Sequence, residues 1–598
     1  MYYKKLFLAG IFAVLAYGFW ISSDFKVIAA GVAIFLAGML ALEEGFRAFT
    51  GGILEKILKR TTDTLWKSIS FGVVSTTIMQ SSSLVSVITI SFLSAGLIGL
   101  TAGIGIIFGA NLGTTTGAWL VAGFGLKVKI SAYAMPMLVF GVILMFQNSK
   151  AMKGVGSILT GLGFLFLGIH YMKEGFEAFK DTINLTEYAM PGFMGLVVFT
   201  LIGMSATVIM QSSHATLTLI ITALAAQQIT YENALALAIG ANIGTTITAI
   251  IGSLSANEMG KRLAGAHLLF NVATGFIAIA LMAQFVVAVD SVSSFVGIAP
   301  DNYTLKLAVF HTIFNLVGII VMIPFIPKMV TLLNRVFRAP KRNIAAPRYL
   351  DSASAEFPDS AVEALRKECG HLYENGRDLM MRSFVITEED LDPDKELSKV
   401  PLKRSAKEDF DFDQVYTETI KNLFSAIIEF ISKAQFSWQE SQSEALHWLR
   451  DASRGLVEAI KDVKHLRKNY TIYIHSDNPH IREQYLSIRE QIATILQEME
   501  EIRNEPDNDL GILSLDQLKV QVDEADTYLN NQVDTLIREG KITPEMGTSL
   551  MNDTAYAYDI ATKLIAVGGS LFRAPDPDTT SIEHALALDE DELGEAMK

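Results

Sequence analysis

Gly72-VVSTTIM-Gln80-Ser81-Ser82-Ser83 and Gly203-MSATVIM-Gln211-Ser212-Ser213-His214 are one phrase written twice, 131 residues apart. The same offset carries Gly109-ANLGTT onto Gly240-ANIGTT, and an offset of 130 carries Glu44-GFRAF onto Glu174-GFEAF. Three matches in one order make an internal repeat. Repeat one runs over about 27–147 and repeat two over about 154–289, and an extra helix follows over about 304–333.

The repeated phrases are polar, yet they lie between apolar runs such as 84–93 and 217–226. Amides and hydroxyls inside a membrane must be satisfied by one another, by water or by a ligand. Gly and Asn in the phrases suit breaks in helices. Packing of small residues at helix contacts explains one such motif. Two motif types, each duplicated in register, point instead to a transporter binding site.

The duplicated QSS followed by GAN-(L/I)-GTT resembles the type II sodium-dependent phosphate cotransporter family, whose bacterial members often carry a C-terminal PhoU-like domain. The resemblance implies an all-α polytopic fold with two inverted repeats and QSS segments in re-entrant helical hairpins that meet near mid-membrane. It implies inorganic phosphate as substrate and sodium ions as co-transported cations, in a cytoplasmic (inner) membrane. Free N–H groups at helix N-termini suit an anion, and hydroxyl oxygens suit a hard cation. The expected substrate and sodium site is Gln80, Ser81, Ser82, Ser83, Gln211, Ser212, Ser213 and His214. Asn111, Thr114, Thr115, Asn242, Thr245 and Thr246 stand behind them as further ligands or as helix-breaking scaffold.

Composition agrees with a membrane part joined to a polar part. Half the 598 residues are hydrophobic and 19% are charged. Residues 1–345 hold 22 Lys and Arg against 13 Asp and Glu, whereas the remainder holds 27 against 50. The acidic second part argues against nucleic acid, which needs basic patches. One cysteine, Cys369, excludes an intramolecular disulfide and any cysteine metal cluster. The start at Lys4-Lys5 reads as a retained first membrane helix, with both termini expected in the cytoplasm.

Apolar runs predict helices near 6–22, 27–43, 84–98, 101–123, 130–147, 154–172, 193–209, 215–228, 234–254, 263–289 and 304–333, a polytopic lipid-embedded pattern. After two crossings the chain meets Arg47, Lys56, Lys59, Arg60 and Lys67, while the equivalent stretch of repeat two keeps Lys180 beside Glu177, Asp181 and Glu187. Basic loops stay inside, so this reversal predicts an inverted repeat from charge alone. No Lys or Arg falls inside the apolar runs near either motif, so co-bound sodium would supply the positive charge for phosphate.

His214 stands where repeat one has Ser83 and where the family commonly has serine. It could serve the site, replace one sodium ligand or pack beside the hairpin. A second echo, His267-LLFN and His311-TIFN, places His and Asn on one helix face. Helix–helix hydrogen bonding is its favoured role.

The membrane part is expected over 1–338, a linker over 339–352, a PhoU-like domain over 353–573 and an acidic tail over 574–598. Amphipathic helices are predicted near 353–384, 408–434, 438–470, 478–505, 513–539 and 543–571, with a loop over 386–406. Glu458 and Asp462 at i, i+4 match the PhoU E-x-x-x-D metal motif, a weak signal on a charged helix. A homodimer and a regulatory partner for this domain are compatible with the sequence. The function expected is sodium-coupled phosphate symport rather than an enzyme activity. The alternatives are a transporter or exporter of phosphate or another oxyanion with different coupling, a membrane phosphate receptor, and an intramembrane serine hydrolase with His214 as base. Adjacent positions on a helix diverge, which makes Ser213–His214 a poor dyad.

Overall fold

The computed structural model describes residues 2–50, 63–126, 130–179, 185–338, 346–391, 410–433, 440–505 and 508–572. Among the described residues the regular structure is all helix, with no strand. They form two compact units, one of residues 1–339 with 351–354 and one of 340–350 with 355–598. The acidic tail, most of the expected 386–406 loop, residues 339–345 of the linker and the basic loop residues Lys56, Lys59 and Arg60 lie outside the described residues.

In the first unit, α1 (Tyr2–Ile21) and α2 (Ser23–Thr50) precede repeat one's core, α3 (Leu65–Met79), α4 (Ser82–Ser94) and α5 (Leu100–Trp119), with α6 (Ile130–Met145) after it. Then come α7 (Lys150–Phe179), α8 (Gly192–Met210), α9 (Ser213–Ala225), α10 (Tyr231–Gly244) and α11 (Thr246–Ser253). The unit ends with α12 (Glu258–Ala280), α13 (Met282–Phe295), α14 (Tyr303–Met322) and α15 (Ile326–Val336). Seven described helices are long and apolar enough to cross a membrane. α4 and α9 have 13 residues each, about 20 Å against a hydrocarbon core of about 30 Å, so neither crosses alone.

α3 is absent from the apolar reading, because Lys67, Ser68, Ser70, Ser75, Thr76 and Thr77 dilute its pattern. It packs on α5 through Ser68 and Thr76, which lie against Gly105 and Gly113, and Ser68, Ser75 and Thr76 are buried. The run expected over 263–289 breaks at Leu281, and the run over 304–333 breaks at Ile323–Phe325, where Pro324 removes a backbone donor.

Two crossings explain the repeated glycines. A Cβ on Gly109 would stand 2.0 Å from Ile69 O, and one on Gly240 would stand 1.9 Å from Thr200 O. Gly72 and Gly203 meet Ile106 O and Leu237 O at 2.1 and 2.2 Å in the same sense. The motif glycines therefore let α3 cross α5, and α8 cross α10, backbone on backbone. α2 and α7, which carry the two EGF phrases, also pack through glycines: Gly31 lies against Gly168, Gly38 against Gly161 and Gly45 against Gly154. The descending partners show that the two helices run antiparallel.

The second unit contains α16 (Pro358–Phe384), α17 (Asn422–Lys433), α18 (Glu440–Tyr473), α19 (Pro479–Asn504), α20 (Asn508–Arg538) and α21 (Pro544–Phe572). Their apolar faces form one core, with Tyr373, Phe384, Leu466, Tyr485, Leu496, Leu550 and Leu564 buried. Inside it Glu368 Oε2 accepts from the backbone N–H of Arg348 and of Tyr349, each at 2.8 Å, and Glu368 Oε1 lies 2.7 Å from His371 Nδ1. Burial pushes the Cys369 thiol up to about 12, so it stays protonated and unreactive.

Candidate functional site

Each QSS phrase is a break between two helices. Gln80 has φ 51°, ψ 23° and Gln211 has φ 56°, ψ 21°. The following serines are extended, at −141°, 96° for Ser81 and −149°, 111° for Ser212. The left-handed glutamine ends the first helix, and the serine caps the second. Ser81 Oγ accepts from Leu84 N at 3.2 Å, and Ser212 Oγ from Ala215 N at 3.1 Å. Each glutamine amide donates to its own first helix, Gln80 to Thr77 O at 2.5 Å and Gln211 to Val208 O at 2.6 Å. Thr207 Oγ1 donates to Thr216 Oγ1 across the second turn at 2.8 Å, so α8 and α9 double back on one another.

The two turns meet. His214 Nδ1 lies 3.4 Å from Gln80 O, and the imidazole stands edge-on to Phe35 at 5.5 Å. The Gly117 Cα faces that imidazole, and Thr248 Oγ1 lies 3.5 Å from Ser83 Oγ. Gln80 Nε2 also reaches Thr116 Oγ1 at 3.1 Å, whereas Gln211 is exposed. Ser82 and Ser213 open α4 and α9 and are buried. The expected residues Gln80 to Ser83 and Ser212 to His214 thus come together around two helix N-termini, with Gln211 at their rim.

The further set behaves differently. Thr114 and Thr245 donate to Ala110 O and Ala241 O, at 2.9 and 3.0 Å. Thr115 and Thr246 donate to Leu112 O and Ile243 O, at 2.7 and 2.8 Å. Their hydrogens are spent on their own helices, which leaves only acceptor lone pairs. Asn111 donates to Ile107 O at 2.9 Å. Asn242 instead joins Asn271 Oδ1 at 3.1 Å and Asn315 Oδ1 at 3.3 Å, the asparagines of the two His-x-x-x-Asn echoes. α10, α12 and α14 are tied there by helix–helix hydrogen bonds.

Thr116 and Thr248 were not among the expected residues. The signal for them was present, since both continue the threonine run after GAN-(L/I)-G. The repeated phrase itself ends at the second threonine, beyond which Thr116 and Gly117 correspond to Ile247 and Thr248.

The Glu458–Asp462 pair sits among cations. Arg454 Nε lies 2.9 Å from Glu458 Oε1, and Lys563 Nζ lies 2.5 Å from Asp462 Oδ2. No group of three or more His, Cys, Asp or Glu suited to a metal occurs among the described residues. Two carboxylates already paired with cations do not fit a metal ion. Elsewhere in this unit burial pushes the Asp553 carboxyl up to about 6, beside Tyr485 OH at 2.5 Å.

The Na+/Pi-cotransporter family matches residues 34–174 and 192–299. The "Uncharacterized protein YqeW" of Bacillus subtilis is 28% identical over 296 residues, which cover 49% of this chain and 92% of that protein. The "Putative inorganic phosphate export protein YjbB" of Salmonella typhimurium is 26% identical over 345 residues, and that of Escherichia coli K12 is 26% identical over 344. Each of these matches covers 57% of this chain and 61% of the relative, so the chain spans about three fifths of the YjbB length. No solved structure matches. Both matched segments carry the QSS turns and GAN helices described above, and over those residues the membrane unit is similar to the Na+/Pi-cotransporter family.

Proposed function

We propose that the protein couples inorganic phosphate to sodium ions in symport across the cytoplasmic membrane, by alternating access of two inverted repeats. The observation that carries this reading is the meeting of two capped helix N-termini, α4 and α9, with no Lys or Arg between Lys67 and Lys127 or between Lys180 and Lys261. Each N-terminus offers roughly +0.5 charge. Two supply about +1, less than phosphate carries at neutral pH, and a co-bound cation makes up the difference. The first-turn N–H groups of α4 and α9 bind phosphate oxygens, with the second amide hydrogen of Gln211 at the edge, while Gln80 gives both amide hydrogens to Thr77 O and Thr116 Oγ1 and keeps its carbonyl oxygen for a cation. The Ser83–Thr248 hydroxyl pair, one from each repeat, offers oxygen to sodium, and the lone pairs of Thr115 and Thr246 back it. Each ligand then strengthens the other.

Inversion is supported by α2 and α7. They are equivalent in sequence, antiparallel in space and joined reciprocally: Gly31 meets Gly168, the equivalent of Gly38, while Gly38 meets Gly161, the equivalent of Gly31. A two-fold axis perpendicular to two membrane-crossing helices lies in the membrane plane. The second unit is read as a PhoU-like regulatory domain in the cytoplasm, with both termini on that side. A receptor role would give saturable phosphate binding without flux. A serine hydrolase is disfavoured, because His214 Nδ1 faces Gln80 O rather than a serine hydroxyl.

The test is radiolabelled phosphate uptake into proteoliposomes under an inward sodium or an equal potassium gradient, for wild type and Gln211→Ala. Uptake should need sodium and collapse in the variant; sodium-independent binding without uptake would overturn symport. The YjbB relatives, named as putative phosphate export proteins, favour a second reading, export. Phosphate-loaded vesicles with the sodium gradient reversed address it: efflux that ignores sodium would mark an exporter with different coupling.

A further inference from the structure

The two turns are tied to the opposite half through equivalent positions, but with the partners exchanged in size. In one contact Ser83 meets Thr248. By the 131-residue offset, Ser83 corresponds to His214 and Thr248 corresponds to Gly117. Those two also meet. A Cβ on Gly117 would lie 2.4 Å from His214 Cε1, 2.7 Å from Nε2 and 2.9 Å from Nδ1. The small residue of one contact thus faces a hydroxyl residue, while the large residue of the other faces a glycine.

The chemistry of the two contacts differs. Ser83 and Thr248 bring two hydroxyl oxygens together at 3.5 Å, and both residues are half-buried and reachable. Thr248 Oγ1 also lies 2.8 Å from Thr245 O, so oxygen atoms converge there. In the other contact the imidazole fills the space itself. His214 is 5% exposed, Gly117 is buried, and Phe35 closes the ring's flank. His214 Nε2 is buried without a hydrogen-bond partner. A ring in van der Waals contact with a glycine backbone leaves no room for a hydrated or bare ion between them.

We propose that His214 closes the second of two equivalent cation subsites, with Gly117 as its positioning residue, so that a hard cation such as sodium enters only between Ser83 and Thr248. This rests on the symport reading above. The symmetry of the two repeats is broken here by a matched pair, His214 with Gly117 against Ser83 with Thr248, not by one substitution. Restoring serine at 214 alone would leave a void beside Gly117, and adding a side chain at 117 alone would drive the imidazole out.

The experiment compares wild type, Gly117→Ala, Gly117→Ala with His214→Ser, and Gly117→Thr with His214→Ser. The protein is full length in proteoliposomes, and phosphate flux is read against sodium concentration. Gly117→Ala should lower the maximal flux at least about tenfold, since its Cβ overlaps the ring, and His214→Ser in the same chain should recover most of it. The Gly117→Thr, His214→Ser exchange builds a second hydroxyl pair and should raise the sodium-to-phosphate ratio, from reversal potentials, by one ion. Failure of His214→Ser to rescue Gly117→Ala would sink the pairing. An exchanged protein that transports with an unchanged ratio would sink the closed subsite. If the exchange fails to fold, the mirror exchange in the other contact, Ser83→His with Thr248→Gly, gives the opposite sign: one ion lost supports the idea, and an unchanged ratio overturns it. Loss of the symport reading itself shows separately, as sodium-independent flux in wild type.

Discussion

The two QSS turns agree in backbone and disagree in side chains. Their glutamines sit within a few degrees of one another in φ and ψ, their serines cap the next helix alike, and the glycine crossings behind them match to a fraction of an ångström. Even Gln227 at φ 59° repeats Gly96 at φ 70°, though the residues differ. The side chains around this frame have diverged. Thr116 holds Gln80 where Ile247 stands in the other half, and Thr207 bonds Thr216 where the corresponding residues are Thr76 and Val85. The difference teaches that the helix breaks, which leave first-turn N–H groups facing the turn, are held in both halves, whereas the polar lining is unequal.

Changes that strike the shared frame should therefore be severe and equal in both halves. Gly109→Ala and Gly240→Ala each place a Cβ about 2 Å from a carbonyl oxygen of the crossing helix, an overlap costing more than about 3 kcal/mol. Both proteins should fail to reach the membrane in folded form, by fluorescence-detected size exclusion. A mild effect in one half alone would break the equivalence of the two crossings.

At the turns the frame can be kept while the chemistry is removed. Glycine adopts the left-handed region freely, so Gln80→Gly and Gln211→Gly should fold as well as wild type. Loss of a side-chain hydrogen bond or ligand oxygen at a charged ligand, the Gln211 N–H to phosphate or the Gln80 amide oxygen to a cation, is worth about 1.5–3 kcal/mol, so phosphate flux should fall roughly tenfold to a hundredfold. Full flux in Gln211→Gly with loss in Gln80→Gly would show that the exposed glutamine is idle and sharpen the asymmetry.

How much of this was legible in the sequence follows from which residues act alone. The repeat, the helix breaks and the residues at the turns were readable, because a glutamine followed by a capping serine between apolar runs has few other conformations to take. α3 was not, since its polar residues read as a loop until α5 supplies their burial. The Ser83–Thr248 and His214–Gly117 contacts join residues about 100 to 165 positions apart, and only the doubling back of each turn brings them together. The Glu458–Asp462 spacing was legible too, but Arg454 and Lys563 decide its chemistry, and Lys563 lies on a different helix.

A smaller effect tests the lining directly. Thr116→Val removes the 3.1 Å bond that orients the Gln80 amide, a neutral hydrogen bond worth about 1 kcal/mol. The apparent phosphate affinity should weaken about fivefold, with maximal flux retained. The reciprocal Ile247→Thr offers Gln211 the same partner, takes up the amide hydrogen that phosphate would receive, and should weaken it too. No change in either would mean that the amides are not held at the site by these threonines.

The smallest expected effect concerns stability alone. Thr207 Oγ1 donates to Thr216 Oγ1, which lies 3.0 Å from Ser212 O, so the second turn is cross-braced. In the first turn Thr76 Oγ1 is buried without a partner, because the position equivalent to Thr216 is Val85. Val85→Thr keeps the branched shape and adds a hydroxyl where Thr76 and Ser81 O can both engage it. An unsatisfied buried hydroxyl is costly, and meeting it should stabilise the protein by about 1 kcal/mol. Amide exchange across α3 and α4 should slow accordingly, while Thr216→Val should speed exchange across α8 and α9. If Val85→Thr destabilised the first turn instead, the two halves would differ in backbone spacing as well as in side chains, and the shared frame would be less exact than its dihedral angles indicate.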